Sequence, residues 1–398
     1  MLIRLFNSYL KIGNLTVILP NGEKRTFDRG PMEGVDPVVV RFKRVPSMKS
    51  LLTSAHISIC DSYVNGDMVI EEGTLRDFLF IVGKSAMLND EGWLPDLNRS
   101  IHSLIASWQH YNPAHRSKAN VAHHYDLSGE LYDQFLDEHR QYSCAYFEGN
   151  ETLEQAQEKK MHHIARKLLI KPGMRILDIG SGWGGLGLFL AKNYGAEVYG
   201  VTLSEEQHAW ANDWADKEGL ADKAKFHLQD YRAVDGKFDR IVSVGMFEHV
   251  GQFHFDEYFQ KVRSLLADDG VGLIHTIGHM GPPEPISPWI RKYIFPGAYL
   301  PSLSQIGRAV ERSRLWLADF ENLRLHYAKT LAMWNERFQQ NRDKVKDLYD
   351  EKFCRMWELY LVSCEMAFVC QAACVFQLQV SNKIDAVPIT RRYLYSDT

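Results

Sequence analysis

Leu177-Asp178-Ile179-Gly180-Ser181-Gly182-Trp183-Gly184-Gly185 places one carboxylate and four glycines directly after the apolar run Arg175-Ile176-Leu177. A helical pattern from Leu186 to Lys192 follows at once. Glycine takes positive φ and lets a ligand approach the backbone, and the free N–H groups of a helix start point at that ligand. The stretch reads as a cradle for a nucleotide-bearing cofactor.

Two cofactor classes fit such a cradle. Gly180, Gly182 and Gly185 satisfy the G-x-G-x-x-G spacing of dinucleotide sites, which is a weak signal by itself. A dinucleotide site also needs an acidic residue closing the next strand, about 20 residues on, to hold the ribose. The next strand here, Glu197-Val198-Tyr199-Gly200-Val201-Thr202-Leu203, ends in Thr202. Asp178 stands two residues before the first glycine, where S-adenosylmethionine enzymes of this fold place an acid near the methionine end. The methyl donor is the favoured reading and a nicotinamide or flavin the alternative.

The elements around the cradle alternate. Strands are expected at Met174–Ile179, Glu197–Thr202, Ala224–Leu228, Asp239–Val244 and Val271–Ile277, with helices starting near Leu186, Glu205 and Phe255. Thr152-Leu153-Glu154-Gln155 has capping-box form, and Met161, Ile164 and Leu168 give the helix after it an apolar face. This order specifies an α/β fold with a doubly wound, mostly parallel sheet and ligands at the strand C-termini. The C-terminal part reads as helical, with Phe353, Met356, Trp357, Tyr360, Leu361, Cys364 and Phe368 at three- and four-residue steps. Ahead of it all, residues 1–86 read as a small α+β module, with strands at Leu15–Leu19 and Val38–Phe42 and a helix from Thr74 to Ala86. Residues 87–120 read as a linker carrying the basic cluster His115, Arg116 and Lys118, and 121–398 as the catalytic domain.

Composition narrows the classes. A net charge of −4 and the absence of a Lys/Arg block disfavour nucleic acid, as does the lack of an Asn/Asp-Pro-Pro-aromatic motif for a flipped base. The six cysteines form no C-x-x-C pair and no zinc-like spacing with histidine, so no metal is expected, and such usage fits a reducing cytoplasm. No apolar run reaches membrane-span length, and Met1 to Leu15 is too polar for a signal peptide.

Three further residues fall near expected strand ends or just ahead of the sheet. Glu248 follows the fourth strand of the core, His275 closes the fifth, and Cys144 lies in Tyr142-Ser143-Cys144-Ala145-Tyr146-Phe147. Singly, each reads as easily as a helix cap, a core histidine or a packed thiol. Together with the glycine turn, Thr202-Leu203-Ser204-Glu205-Glu206-Gln207, Phe247-Glu248-His249-Val250-Gly251 and His275-Thr276-Ile277-Gly278, their order closely resembles the cyclopropane-fatty-acid synthase family, which includes the mycolic acid methyltransferases. The resemblance runs from about His123 to Asn382. The preceding module looks, more loosely, like the amino-terminal domain of the phospholipid-acting members.

The resemblance implies a class I S-adenosylmethionine-dependent methyltransferase acting on a cis double bond of a phospholipid acyl chain, with bicarbonate as the bound base. It implies catalytic positions at Cys144, Glu248, His275, Tyr327 and the Ile277 N–H. Cys364 matches a family cysteine once proposed to be catalytic. For the cofactor it implies Tyr142 and Ser143 at the sulfonium side, Asp178, Gly180, Gly182 and Trp183 around the methionine end, Thr202 and Gln207 at the ribose and base, and Asp230 and Tyr231 beside the adenine. It further implies peripheral contact with the inner face of the membrane, and leaves homodimerisation and membrane docking open as roles for the first domain. A sister activity giving methyl-branched or methylene products is the nearest alternative. A lipid-binding protein with an inactive fold is an alternative of another class, against which intact Cys144, Glu248, His275 and Tyr327 argue.

Overall fold

A computed structural model describes residues 1–90 and 128–395. They form eleven strands: β1 Asn14–Ile18, β2 Lys24–Asp28, β3 Val38–Phe42, β4 Met68–Glu72, β5 Arg175–Ile179, β6 Glu197–Thr202, β7 Ala224–Leu228, β8 Phe238–Val244, β9 Leu266–Gly278, β10 Trp316–Asn322 and β11 Cys374–Ser381. The described residues divide into two compact units. The linker expected over 87–120, with His115, Arg116 and Lys118, lies outside the described residues from 91 onward.

The first unit takes in the described part of Met1–Arg99 together with Ser287–Ile294 and Leu331–Ala372. Its sheet runs β2-β1-β3-β4, with β1 and β3 parallel and both outer pairs antiparallel. Phe6, Phe27 and Phe42 meet on one face, with ring centroids 6.2 and 6.5 Å from Phe6. Two segments that the sequence reading assigned to the catalytic domain belong here, including the helix Glu351–Val369 with its stripe of Trp357, Leu361 and Phe368. Asp350 caps that helix, and Arg76 reaches Glu365 on it at 2.8 Å.

The second unit holds a seven-stranded sheet ordered β10-β11-β9-β8-β5-β6-β7. The five strands from β9 to β7 are parallel, and β11 is antiparallel to both neighbours. Side chains alternate between two cores, as a two-residue repeat requires. Ile176, Val198, Val242 and Leu273 pack under helices Leu153–Leu168 and Gly185–Tyr194. Leu177, Val201, Ile241 and Ile274 pack under Phe255–Leu265 and Leu303–Ser313. This is the class I methyltransferase fold. The expected all-helical C-terminal part is corrected at β11, whose eight residues are all buried.

Helix Leu153–Leu168 starts on the capping box, with Thr152 Oγ1 accepting from Gln155 N and Gln155 Oε1 from Thr152 N. Among the described residues no helix is long and apolar enough to cross a membrane. Thr152→Ala removes one cap acceptor and is expected to lower stability by about 1 kcal/mol. Urea unfolding followed by far-UV circular dichroism checks this, and an unchanged midpoint would show that the cap carries no weight.

Candidate active site

At the C-terminal ends of β5, β6 and β8 a cleft opens, built on the glycine turn. Gly180 N–H and Ser181 N–H both donate to Val201 O, at 2.9 and 3.0 Å, which folds the chain sharply off β5. Gly180 has φ +79° and Gly182 φ +54°, a region L side chains avoid. A Cβ on Gly185 would come within 2.0 Å of the His139 carbonyl oxygen. The last of these glycines thus serves a packing role, bringing the 137–143 loop onto the start of helix Gly185–Tyr194.

The cleft is lined by Tyr142, Ser143, Asp178, Gly180, Gly182, Trp183, Thr202, Gln207, Asp230 and Tyr231. Asp178 is buried, its Oδ2 has no hydrogen-bond partner, and burial raises its carboxyl to about 7 against the pull of the Lys160 ammonium. Thr202 Oγ1 donates to Gln207 Oε1 at 3.0 Å and accepts from Ser204 N, so the end of β6 and the following helix start are locked together. Both Asp230 oxygens are held by the Arg232 guanidinium, at 2.9 and 2.6 Å. Trp183 lies under the Arg140 guanidinium, 4.7 Å from the ring centroid, and Arg140 in turn covers Trp210 at 3.6 Å.

Glu248 lies beyond β8. Gly245, at φ +66°, turns the chain there and donates its N–H to His275 O. Phe247 is clamped in the core against Phe255, with ring centroids 4.5 Å apart. Glu248 Oε1 accepts the Ile277 N–H at 2.7 Å, while Oε2 is buried without a partner. Burial raises this carboxyl to about 7, opposed by the Ile277 N–H and the nearby Thr276 hydroxyl. His275, one register step away on β9, sits opposite Gln377 of β11 and faces its amide at 3.1 Å. Burial lowers the imidazole to about 3, so it is neutral at physiological pH.

Of the other expected catalytic positions, Cys144 and Tyr327 belong to the same unit as Glu248 and His275, and Cys364 does not. Cys144 is fully buried, with its thiol pushed up by burial and its sulfur donating to Ala145 O at 3.3 Å. Helix His326–Gln340 carries buried Tyr327, and Thr330 on the same helix accepts the Ala145 N–H at 3.0 Å. Cys364 belongs to the first unit, where burial raises its thiol to about 12. No group of three His, Cys, Asp or Glu among the described residues could hold a metal ion.

Residues 113–378 match the family model described as mycolic acid cyclopropane synthetase. The chain is 38% identical to the cyclopropane-fatty-acyl-phospholipid synthase of Escherichia coli strain K12, over 89% of this chain and 90% of that one. The chain belongs to this family. It is an S-adenosylmethionine-dependent methyltransferase. The probable fatty acid methyltransferase of Pseudomonas putida is 37% identical over 86% of each chain. The crystal structure of mycolic acid cyclopropane synthase CmaA1, complexed with S-adenosylhomocysteine, aligns at a TM-score of 0.64 with 33% identity, covering 68% of this chain and 98% of that one.

Sequence reasoning missed Arg140, Gln141, Gln229 and His249 on the cleft wall, and Gln157 and Lys160 behind it. The last pair had a signal: two polar residues three apart on a helix face otherwise built of Met161, Ile164 and Leu168. Gly185→Ala is expected to push the 137–143 loop off the helix start and weaken S-adenosylhomocysteine binding at least about tenfold, measured by titration calorimetry. Unchanged affinity would contradict the close approach as a feature the cleft needs.

Proposed function

We propose that this methyltransferase adds the methyl group of S-adenosylmethionine to a cis double bond of an unsaturated phospholipid acyl chain and closes a cyclopropane ring. The observation that carries this reading is Glu248, a sealed carboxylate with one oxygen on the Ile277 N–H and the other unpartnered. The 38% identity to the Escherichia coli synthase supports the phospholipid substrate.

When bound, S-adenosylmethionine supplies an electrophilic methyl group on a sulfonium centre. The cleft fits it. The unpartnered oxygen of Asp178 suits the methionine ammonium, and the backbone of Gly180 and Gly182 its carboxylate end, with Trp183 alongside. Tyr142 and Ser143 would flank the sulfonium, Thr202 and Gln207 the ribose and base, and Asp230 and Tyr231 the adenine.

An alkene is a poor nucleophile, so the chain's main contribution to the first step is proximity in a dry pocket. Bond formation at one alkene carbon leaves positive charge on the other, and ring closure requires a proton to leave the added methyl. Glu248 can hold the base that takes it. An anion with one acidic hydroxyl, such as bicarbonate, fits beside an acceptor-only oxygen and a neutral imidazole. In this reading Glu248 accepts the hydroxyl through Oε2, His275 and Tyr327 donate and buried Cys144 packs close, while the Ile277 N–H, expected as a further donor, is engaged by Glu248 Oε1 instead. Cys364 receives no step, because an alkene offers a thiolate nothing to attack. A phospholipid substrate places the enzyme at a membrane surface.

Expression in a bacterium lacking its own synthase should convert monounsaturated phospholipid chains to ring-bearing ones, seen by gas chromatography with mass spectrometry after methanolysis. Methyl-branched or methylene products alone would move the assignment to the sister activity, and no lipid change would overturn both. Glu248→Gln is expected to lower kcat by about 10²–10⁴-fold with S-adenosylhomocysteine binding intact. Because the raised carboxyl is protonated below its pKa, wild-type activity should fall as pH drops through about 7, and that limb should vanish in the variant. A retained limb would assign it to another group.

A further inference from the structure

Lys160 is among the most deeply buried charges in the second unit. It projects from helix Leu153–Leu168, is fully excluded from solvent, and faces neither Glu248 nor an ion-pair partner at contact distance. An ammonium in that position is strongly disfavoured unless its surroundings compensate. Its Nζ donates to Gln141 Oε1 at 2.6 Å and to Ser143 Oγ at 2.9 Å, and both acceptors belong to residues that line the cofactor cleft.

The same helix face holds that loop a second way. Gln157 Nε2 donates to the carbonyls of Gln141 and Ser143, at 3.2 and 3.0 Å. From the other side, Asp137 accepts the N–H groups of His139 and Gln141, each at 2.9 Å. Tyr142 is thereby fixed between two anchored neighbours. The carboxylates of Asp137 and Asp178 both act on the Lys160 ammonium, and it opposes the effect of burial on each of them. Asp178 keeps one oxygen unpartnered at the cleft.

We propose that Lys160 is a positioning residue for the cofactor: its ammonium fixes Gln141 and Ser143 at the cleft wall and serves as the counter-charge of Asp178, so that it governs binding of the cofactor's amino-acid end. The proposal rests on the assignment of Asp178 to the methionine ammonium. An ammonium that merely satisfied a loop would change the whole cleft on removal. One acting through Asp178 and Ser143 changes the amino-acid subsite and spares the nucleoside subsite around Tyr231, which draws on other strands.

The test is titration calorimetry of the full chain with two probes, S-adenosylhomocysteine and 5′-methylthioadenosine, which keeps the nucleoside thioether and lacks the amino-acid end. For Lys160→Met, S-adenosylhomocysteine binding is expected to weaken about tenfold or more, and methylthioadenosine, which keeps only the sulfur that Ser143 flanks, by no more than about threefold. Equal weakening of both probes, or no change in either, overturns it. Lys160→Gln, a neutral donor in the same place, should show the same selective loss. If neither variant folds by circular dichroism, the ammonium belongs to folding and the proposal falls. A wild-type chain that binds the two probes equally would instead sink the Asp178 assignment on which it rests.

Discussion

A carboxylate sealed from water with half its acceptor capacity unfilled is the constraint around which the second unit is organised. Leaving one buried acceptor unpaired costs about 1–3 kcal/mol, more for a charged group. Glu248 bears that cost with a single strong partner, the Ile277 N–H, and a rigid approach fixed by Gly245 and Phe247. Such an oxygen is a poor choice for stability. It is a good choice for gripping the hydroxyl of a weak acid where no water competes.

Asp178 follows the same logic at the cofactor end. Its burial and its unpartnered oxygen would be a liability in a protein that bound nothing there. The difference lies in compensation: Asp178 has the Lys160 ammonium acting on it, whereas for Glu248 it comes from the Ile277 N–H. Two carboxyls pushed toward neutral pH stand at neighbouring strand ends, and the proposed function gives them separate tasks, one facing the methionine ammonium and one holding a base.

The parallel strands were legible because strands buried on both faces appear as short apolar runs between turns. β5, β6 and β8 fell within a residue of their expected bounds. β11 was not legible, since Gln377 and Gln379 interrupt its apolar pattern while both are fully buried, one facing His275 and the other donating to Lys167 O. β10 carries Asp319 and Glu321 at an edge, and the helix Met48–Val64 is rich in serine with no clear apolar stripe. The glycine turn was readable because backbone conformation constrains residue type locally. Gln157 and Lys160 showed only as polar breaks in an apolar helix face, and Gln377 acts through a partner distant in sequence, so no spacing announced what any of them holds.

The central claim is that the proton leaving the chain comes from the transferred methyl group, taken by a base held at Glu248. Feeding cells that express the protein with methionine carrying a trideuterated methyl, and weighing the product acyl chains by mass spectrometry, tests it directly. Two deuterons are expected to remain in each added carbon unit. Retention of all three would mean that the proton leaves from elsewhere, and would contradict ring closure at this site.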